Sequence, residues 1–232
     1  MTDHFRYFNS SPAVIRLTVM MYVRFPLSLC NVEELLFERG FDVCYETVRF
    51  WWNRFGPVFA KEIRKRRLKY PVRHSSWRWH IDEVFVKING ESHYLWRAVD
   101  HEGEMLDAVI TKRRNKQAAL KVLKSLMKRY GHLAEIVTDR LGSYGAALQD
   151  RDAKHLQEVG RWLNNSAENS HLVFRRRERA MNKFRSEETL QKFTSTQSQF
   201  YKHFNGEGHL TKRHQYRKFR SEALSEWQSV AV

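Results

Sequence analysis

The sequence predicts an α/β protein in which a mixed sheet, with elements in the order βββαβαβα, follows an all-helical N-terminal region. Three observations predict this class. Apolar residues recur at helical spacing before residue 70, strand-like alternation begins near Trp77, and a charged helical pattern without proline or glycine starts at Asn165. With 42% hydrophobic residues in 232, including 7 Trp, 9 Tyr and 15 Phe, the chain can bury a core, which excludes wholesale disorder.

The N-terminal region predicts three helices. Ser11 and Pro12 are typical of a helix start, and a second helix is expected to end at Gly40. A third helix is expected from Tyr45 to Phe55, with the following Gly-Pro pair as its stop. Two short helices around a glycine-bearing turn are the pattern of a helix-turn-helix, although a plain helical hairpin has the same pattern.

In a helix-turn-helix, the N-terminal residues of the second helix contact base edges in the major groove of DNA. The residues that face away from the apolar stripe are therefore the candidate base contacts: Glu46, Thr47, Arg49, Phe50 and Asn53. A basic linker follows, and its candidate DNA contacts are Arg64, Arg66 and Arg67. A solvated helix face is the alternative for this linker.

The charge distribution also favours nucleic acid as the partner. The formal net charge is +15, and it divides as +7 for residues 1–78, +1 for residues 79–170 and +7 for residues 171–232. Basic flanks attract a polyanion by long-range field and by counterion release, so the near-neutral middle is expected to have another task. A patch for anionic lipid is the alternative reading of the same charge.

The middle of the chain predicts the sheet. Alternating residues from Trp77 to Ile88, the turn signal Asn89-Gly90 and two further strand patterns at 93–99 and 105–111 predict three antiparallel strands. The pattern then predicts a helix at 115–130, a buried strand at 135–138, a helix at 143–148 and a strand near 156–159. One long helical pattern is expected from Asn165 to Phe204.

Three carboxylates fall where this topology brings them toward one cleft. Asp82 shares a lane with buried apolar residues, Asp139 follows the strand at 135–138, and Glu168 lies in the first turn of the helix that begins near Asn165. Carboxylates brought together repel unless a divalent cation binds them, and oxygen ligands suit Mg²⁺ or Mn²⁺. Taken singly, a turn aspartate and a helix-start glutamate have structural explanations as well.

At these residues the sequence resembles the bacterial insertion-sequence transposases of the DDE type, in particular the small cointegrate-forming group that joins a helix-turn-helix to an integrase-like catalytic core. The segments that carry the resemblance are Y-E-T-V-R-F-W (45–51), W-R-W-H-I-D-E-V-F-V-K-I-N-G (77–90), Y-L-W-R-A-V-D (94–100), I-V-T-D-R-L-G-S-Y-G-A-A-L (136–148), R-W-L-N-N-S-A-E-N-S-H (161–171) and R-R-R-E-R-A-M-N-K-F (175–184). They cover nearly the whole chain in order.

The resemblance implies a ribonuclease-H-like core and a catalytic, metal-binding triad of Asp82, Asp139 and Glu168. It implies two Mg²⁺ ions, for which Mn²⁺ can substitute, and attack of a freed 3′-OH on target DNA after cleavage at terminal inverted repeats. A homodimer or higher oligomer is implied because two DNA ends are processed together. The family reading also predicts phosphate contacts from one helix: His171, Arg175, Arg176 and Arg179. The interval between Asp139 and Glu168 is somewhat shorter than in many relatives.

We expect residues 1–70 to form the DNA-binding domain, 71–204 the catalytic core and 205–232 a basic tail. No membrane association is expected, since the longest apolar stretch, residues 14–25, is interrupted by Arg16 and Arg24. A bacterial cytoplasmic, nucleoid-associated protein is the expectation. Three alternatives stay open: a non-enzymatic helix-turn-helix regulator, a nuclease of the same fold that hydrolyses without joining, and a transposase that has lost activity.

Overall fold

A computed structural model describes residues 4–69, 78–100, 105–131, 135–139, 142–160, 165–181, 184–204 and 212–230. The chain divides into two compact units. A helical unit comprises Met1–Pro71, Arg179–Asn182 and Ser195–Val232, and a sheet unit comprises Val72–Glu178 and Lys183–Thr194. The helical unit thus includes C-terminal residues that the sequence analysis assigned to the core or to a separate tail.

The helical unit begins with the three predicted helices: α1 (Pro12–Arg24), α2 (Leu29–Phe37) and α3 (Tyr45–Lys69). The side chain of Ser11 caps α1 by accepting from the backbone N–H of Val14, as predicted. Ser28 and Asn31 form a reciprocal capping box at the start of α2. Gly40 has a φ of +78° in the turn after α2, a backbone angle that favours glycine.

The predicted stop of the third helix at Gly56-Pro57 is wrong, because α3 continues through both residues to Lys69. Proline inside a helix costs about 3 kcal/mol. The apolar stripe extends past this point, with Phe59 and Ile63 fully buried, so tertiary packing outweighs that cost. Gly56 fits because the ring of Trp52 lies where a side chain would stand; a Cβ there would meet the ring at 2.5 Å.

The predicted basic tail contains helix α8 (Arg213–Gln228). Trp227, near its end, packs edge-on against Phe59, Phe200 and Phe204, with ring centroids 5.0 to 5.6 Å apart. Phe200 and Phe204 belong to the last part of α7 (Glu187–Phe204). These aromatic contacts anchor the C-terminal residues in the helical unit, which the charge pattern of the sequence does not reveal.

The sheet unit contains five strands: β1 (Arg78–Ile88), β2 (Glu91–Asp100), β3 (Met105–Thr111), β4 (Glu135–Thr138) and β5 (Gln157–Val159). Their order in the sheet is β3-β2-β1-β4-β5. The first three strands are antiparallel, whereas β4 pairs in parallel with both β1 and β5. Asn89 and Gly90 both have positive φ in the β1–β2 turn, as the hairpin signal predicts.

Helices α4 (Lys116–Tyr130) and α5 (Gly142–Gln149) pack on one face of this sheet. Trp79, Ile81 and Trp96 from the strands join α4 and α5 residues in one buried cluster. Helix α6 (Asn165–Ala180) completes the order βββαβαβα. This order confirms the one that the sequence pattern predicts, and with β1 between β2 and β4 it agrees with the ribonuclease-H-like sheet that the resemblance implies.

The single long helix expected from Asn165 to Phe204 is instead two helices, α6 and α7. Phe184, between them, forms a parallel bridge with Ile88 and accepts a backbone hydrogen bond of 3.1 Å from Asn89. The hydroxyl of Ser186 then accepts from the backbone N–H of Thr189 and caps α7. The pairing of Phe184 with the sheet and the cap at Ser186 thus separate α6 from α7 in a segment that contains no proline or glycine.

In the part of the chain that the structure describes, no helix combines the length and the apolar character that a membrane crossing needs.

Candidate metal centre and nucleic-acid surface

Asp82 and Asp139 lie side by side because β1 and β4 are parallel neighbours. Ile81 pairs with Thr138 in this register, so the two aspartates follow at the same level of the sheet. Carboxylate oxygens of Asp82, Glu83 and Asp139 all lie within 4.8 Å of one another. The structure therefore brings together the two aspartates that the sequence analysis selected, and it adds Glu83, which that analysis did not select.

On one face of β1, Asp82 meets helix α6. Nδ1 of His171 lies 3.5 Å from Oδ2 of Asp82. Burial, with Arg97 and Arg175 nearby, lowers the pKa of His171 to about 3. The contact therefore joins a neutral imidazole to a carboxylate and is not an ion pair at neutral pH.

On the opposite face of β1, Glu83 is almost fully enclosed, with a side-chain exposure of 3%. The hydroxyl of Tyr144 donates to Oε2 of Glu83 at 2.6 Å, and the guanidinium of Arg114 contacts Oε1. The same guanidinium lies 3.0 Å from Oδ2 of Asp139. Burial raises the pKa of Glu83, and burial with the adjacent Glu83 raises that of Tyr144 well above its usual range.

Glu168, the third predicted carboxylate, lies in α6, one helical turn before His171. Its side chain is outside the described part of the structure. The helix that carries it therefore reaches the carboxylate centre through His171, which contacts Asp82.

The chemistry of the described donors fits a hard divalent cation. Asp82 and Asp139 offer carboxylate oxygens, the ligands that Mg²⁺ and Mn²⁺ prefer. The side chains of Asp82 and Asp139 are 16% and 37% exposed, whereas that of Glu83 is 3% exposed and is enclosed between Tyr144 and Arg114. Asp82 and Asp139 are thus more accessible to a cation than Glu83 is.

The predicted phosphate contacts in α6 separate into two groups. Arg175 is partly exposed, but its guanidinium pairs with Glu178 at 2.6 Å and donates to the backbone carbonyl of Phe85. His171 is likewise mostly enclosed beside Asp82. Arg176 and Arg179 are exposed. Arg176 and Arg179 are therefore the most exposed of the four residues, whereas the guanidinium of Arg175 already contacts protein groups.

The exposed face of α3 agrees with the predicted helix-turn-helix surface. Glu46, Arg49, Phe50 and Asn53 are exposed and Thr47 is half-buried, whereas the apolar stripe of the same helix is buried. Arg49 pairs with Glu46 at 2.8 Å and leaves its guanidinium at the surface. Arg54 lies over the ring of Phe8, beside a shallow groove lined by Tyr7 and Phe50 among others.

The predicted basic linker is the last part of α3. Arg64 is exposed there, and the side chain of Arg67 lies outside the described residues. Arg66 differs from the prediction of a DNA contact, since its guanidinium donates to the carbonyl of Glu226 at 3.0 Å and to both oxygens of Ser229, at 2.8 and 2.6 Å. Arg66 therefore ties α3 to the end of α8.

Residues 76–207 match the family model described as a DDE domain, that of the IS240 group of transposases. The chain is 34% identical over 146 residues to the transposase of the insertion-sequence-like element IS431mec of Staphylococcus aureus, and 33% identical to that of IS257 in transposon Tn4003. Each match covers 63% of this chain and 63% of the relative. The chain thus matches less than two thirds of the length of these relatives.

Solved structures give weaker similarities. The catalytic core domain of HTLV-2 integrase in complex with magnesium aligns over 56% of this chain and 88% of its own, with a TM-score of 0.42 and 11% identity. The catalytic domain of Mos1 mariner transposase aligns over 75% of this chain and 92% of its own, with a TM-score of 0.39 and 14% identity.

A ribonuclease-H-like sheet that carries one aspartate within β1 and another directly after its parallel neighbour β4 is typical of a class of carboxylate-centred α/β domains. The family match, which spans more than half of the chain, is more specific. The chain belongs to the DDE-domain family of insertion-sequence transposases.

Proposed function

We propose that this protein is a DDE transposase that binds the terminal inverted repeats of an insertion sequence, cleaves at those ends and joins the freed 3′-OH to target DNA. The closeness of Asp82 and Asp139 on adjacent strands supports this proposal most directly. Glu168 is proposed as the third ligand, on the helix that reaches Asp82 through His171.

The proposed site would bind two Mg²⁺ ions, for which Mn²⁺ could substitute. Bound divalent cations supply a Lewis acid for the phosphodiester and assist both the attacking and the leaving oxygen. Asp82 and Asp139 would hold the cation through their carboxylate oxygens. The exposed Arg176 and Arg179 would bind phosphates of the DNA backbone. The 3′-OH oxygen forms the new bond to phosphorus as the bond to the leaving 3′-oxygen breaks, so no covalent enzyme intermediate forms.

Recognition of the DNA ends is assigned to the exposed face of α3. Arg49 and Asn53 carry donors suited to base edges, and Phe50 offers an apolar contact. Arg54 and the exposed Tyr7 border the groove beside this face and extend the surface toward the DNA backbone. The protein is proposed to act as a dimer or larger assembly that holds two DNA ends together and is associated with the bacterial nucleoid.

A strand-transfer reaction tests this function. Purified protein is incubated with Mg²⁺ or Mn²⁺, a labelled duplex from the DNA that flanks its coding sequence and a supercoiled target, beside the Glu168→Ala variant. Metal-dependent joined products from the parent protein alone support a transposase with Glu168 as a ligand. Tight binding without cleavage under either metal would instead identify a regulator or an inactive transposase, and cleavage without joining would identify a nuclease.

A further inference from the structure

A chain of contacts links the helix face of the sheet to the carboxylate centre. Tyr144, in α5, donates to Glu83 at 2.6 Å, and Glu83 contacts the guanidinium of Arg114. Arg114, in the segment between β3 and α4, also lies 3.0 Å from Oδ2 of Asp139. The side-chain exposures are 3% for Glu83 and 37% for both Arg114 and Asp139. The network therefore runs from a buried carboxylate to a partly exposed one.

Glu83 lies close to Asp82 and Asp139, yet its surroundings differ from those of a metal ligand. Successive residues of a strand point to opposite faces, so Glu83 leaves β1 on the side away from Asp82 and α6. Its two oxygens are already engaged, one by a neutral hydroxyl and one by a guanidinium. A cation at Glu83 would have to displace the Arg114 guanidinium from a carboxylate that is only 3% exposed.

Arg114 contacts Asp139 from one side of the carboxylate. The guanidinium lies 3.0 Å from one of its oxygens, Oδ2, and so constrains the direction of the whole group. A planar guanidinium with two carboxylate partners fixes the rotamers of both, since its donors are held in a rigid fork. Its positive charge also offsets the mutual repulsion of three carboxylates within 4.8 Å of one another.

We propose that Glu83 and Arg114 are positioning residues: Glu83 holds Arg114, and Arg114 orients Asp139 for the cation, so Glu83 is not itself a metal ligand. This inference rests on the proposed function, because that function makes Asp139 a ligand. Outer partners of metal ligands typically change metal affinity by about 10-fold to 100-fold when removed. The opposite arrangement, in which Glu83 is a ligand and Arg114 competes with the cation, predicts the reverse sign at Arg114.

Metal binding to the full chain separates the two arrangements. Free Mn²⁺ is titrated by electron paramagnetic resonance against the parent protein, Glu83→Gln, Arg114→Ala and the double variant. We expect each single variant to bind Mn²⁺ about 10-fold to 100-fold more weakly. We expect the double variant to be no weaker than Arg114→Ala, because Glu83 acts through Arg114.

Tighter Mn²⁺ binding by Arg114→Ala would overturn the proposal, since it would show that Arg114 competes with the cation. Loss of binding in Glu83→Gln together with unchanged binding in Arg114→Ala would also overturn it and make Glu83 a ligand. Arg113→Ala is the matched control, because Arg113 is the exposed neighbour of Arg114 in the same segment, and its affinity is expected to equal that of the parent.

Two further measurements keep the result interpretable. Glutamine at position 83 retains the side-chain volume and an acceptor for Tyr144. If circular dichroism shows that Glu83→Gln does not fold, Arg114→Lys is tested in its place. Lysine keeps the charge but loses the guanidinium fork, so we expect this variant to bind Mn²⁺ more weakly than the parent protein. Asp82→Ala tests the proposed function separately. If it binds Mn²⁺ like the parent, or if the parent binds none, the metal centre itself is wrong and the positioning proposal fails with it.

Discussion

Asp82 and Glu83 are neighbours in the sequence, yet they occupy two different environments. Asp82 keeps 16% of its side chain exposed on the face of the sheet that α6 approaches, beside a neutral His171. Glu83 is enclosed on the other face, between Tyr144 and Arg114. The difference teaches that the two faces of one strand can serve different roles, because the alternation of side chains directs Asp82 to the proposed cation site and Glu83 to its contacts with Tyr144 and Arg114.

The largest effect is expected for Asp82, on the face of β1 that α6 approaches. We expect Asp82→Ala to abolish metal-dependent strand cleavage and to leave binding to the DNA ends nearly intact, since the proposed function assigns Asp82 to the cation and recognition of the ends to α3. Cleavage and gel-shift assays on the same labelled duplex measure both quantities. Equal loss of cleavage and binding would identify Asp82 as a structural residue and would break the comparison.

On the enclosed side, we expect Glu83→Ala to lower the free energy of unfolding by about 1–3 kcal/mol, because it leaves the buried hydroxyl of Tyr144 without its acceptor. Asp82→Ala is the matched control, for which a smaller loss is expected, because the contact of Asp82 with His171 at 3.5 Å is longer than the 2.6 Å hydrogen bond of Tyr144 to Glu83. Urea unfolding followed by tryptophan fluorescence measures both. A larger loss of stability at position 82 than at position 83 would contradict the assignment of the two faces.

Two arginines of α3 repeat the contrast in the helical unit. Arg49 is exposed on the proposed DNA face, whereas Arg66 donates to Glu226 and Ser229. We expect Arg49→Ala to weaken binding to the element's own ends by about 1–3 kcal/mol more than binding to random DNA. Fluorescence anisotropy with both duplexes measures the difference. A uniform loss across sequences would make Arg49 a phosphate contact instead.

Arg66→Ala is the counterpart of Arg49→Ala. We expect it to lower the stability of the protein by about 1 kcal/mol, because the ends of α3 and α8 lose their shared hydrogen bonds. Binding to DNA ends, measured in the same anisotropy assay, is expected to stay close to that of the parent. A loss of DNA affinity without loss of stability would restore Arg66 to the DNA surface.

Local patterns were sufficient to predict the sheet and the two aspartates. Alternation, the Asn89-Gly90 turn and the buried strand before Asp139 are properties of short windows of sequence. The strand order then follows from few topological choices, which is why Asp82 and Asp139 could be placed in one cleft before the structure was known.

The errors share a different origin, because each depends on contacts between distant residues. Helix α3 passes Gly56-Pro57 because of aromatic packing, and α6 ends because Phe184 pairs with Ile88. The roles of Glu83 and Arg114 likewise depend on Tyr144, 61 residues after Glu83. The pair of consecutive carboxylates at 82 and 83 was the one sequence signal for this network, and alternation assigns its two members to opposite faces.

The smallest effect on stability is expected for Tyr144→Phe, which changes a single atom on the enclosed face of β1. Tyr144→Phe removes only the hydroxyl that donates to Oε2 of Glu83, and the ring remains packed edge-on against Trp96, with centroids 5.5 Å apart. We expect a loss of about 1 kcal/mol in the free energy of unfolding. In the double variant with Glu83→Ala, the loss is expected to fall short of the sum of the two single losses, because both changes remove the same hydrogen bond. Additive losses in urea unfolding would show that the hydroxyl of Tyr144 and the carboxylate of Glu83 contribute independently to stability, which would contradict a shared hydrogen bond.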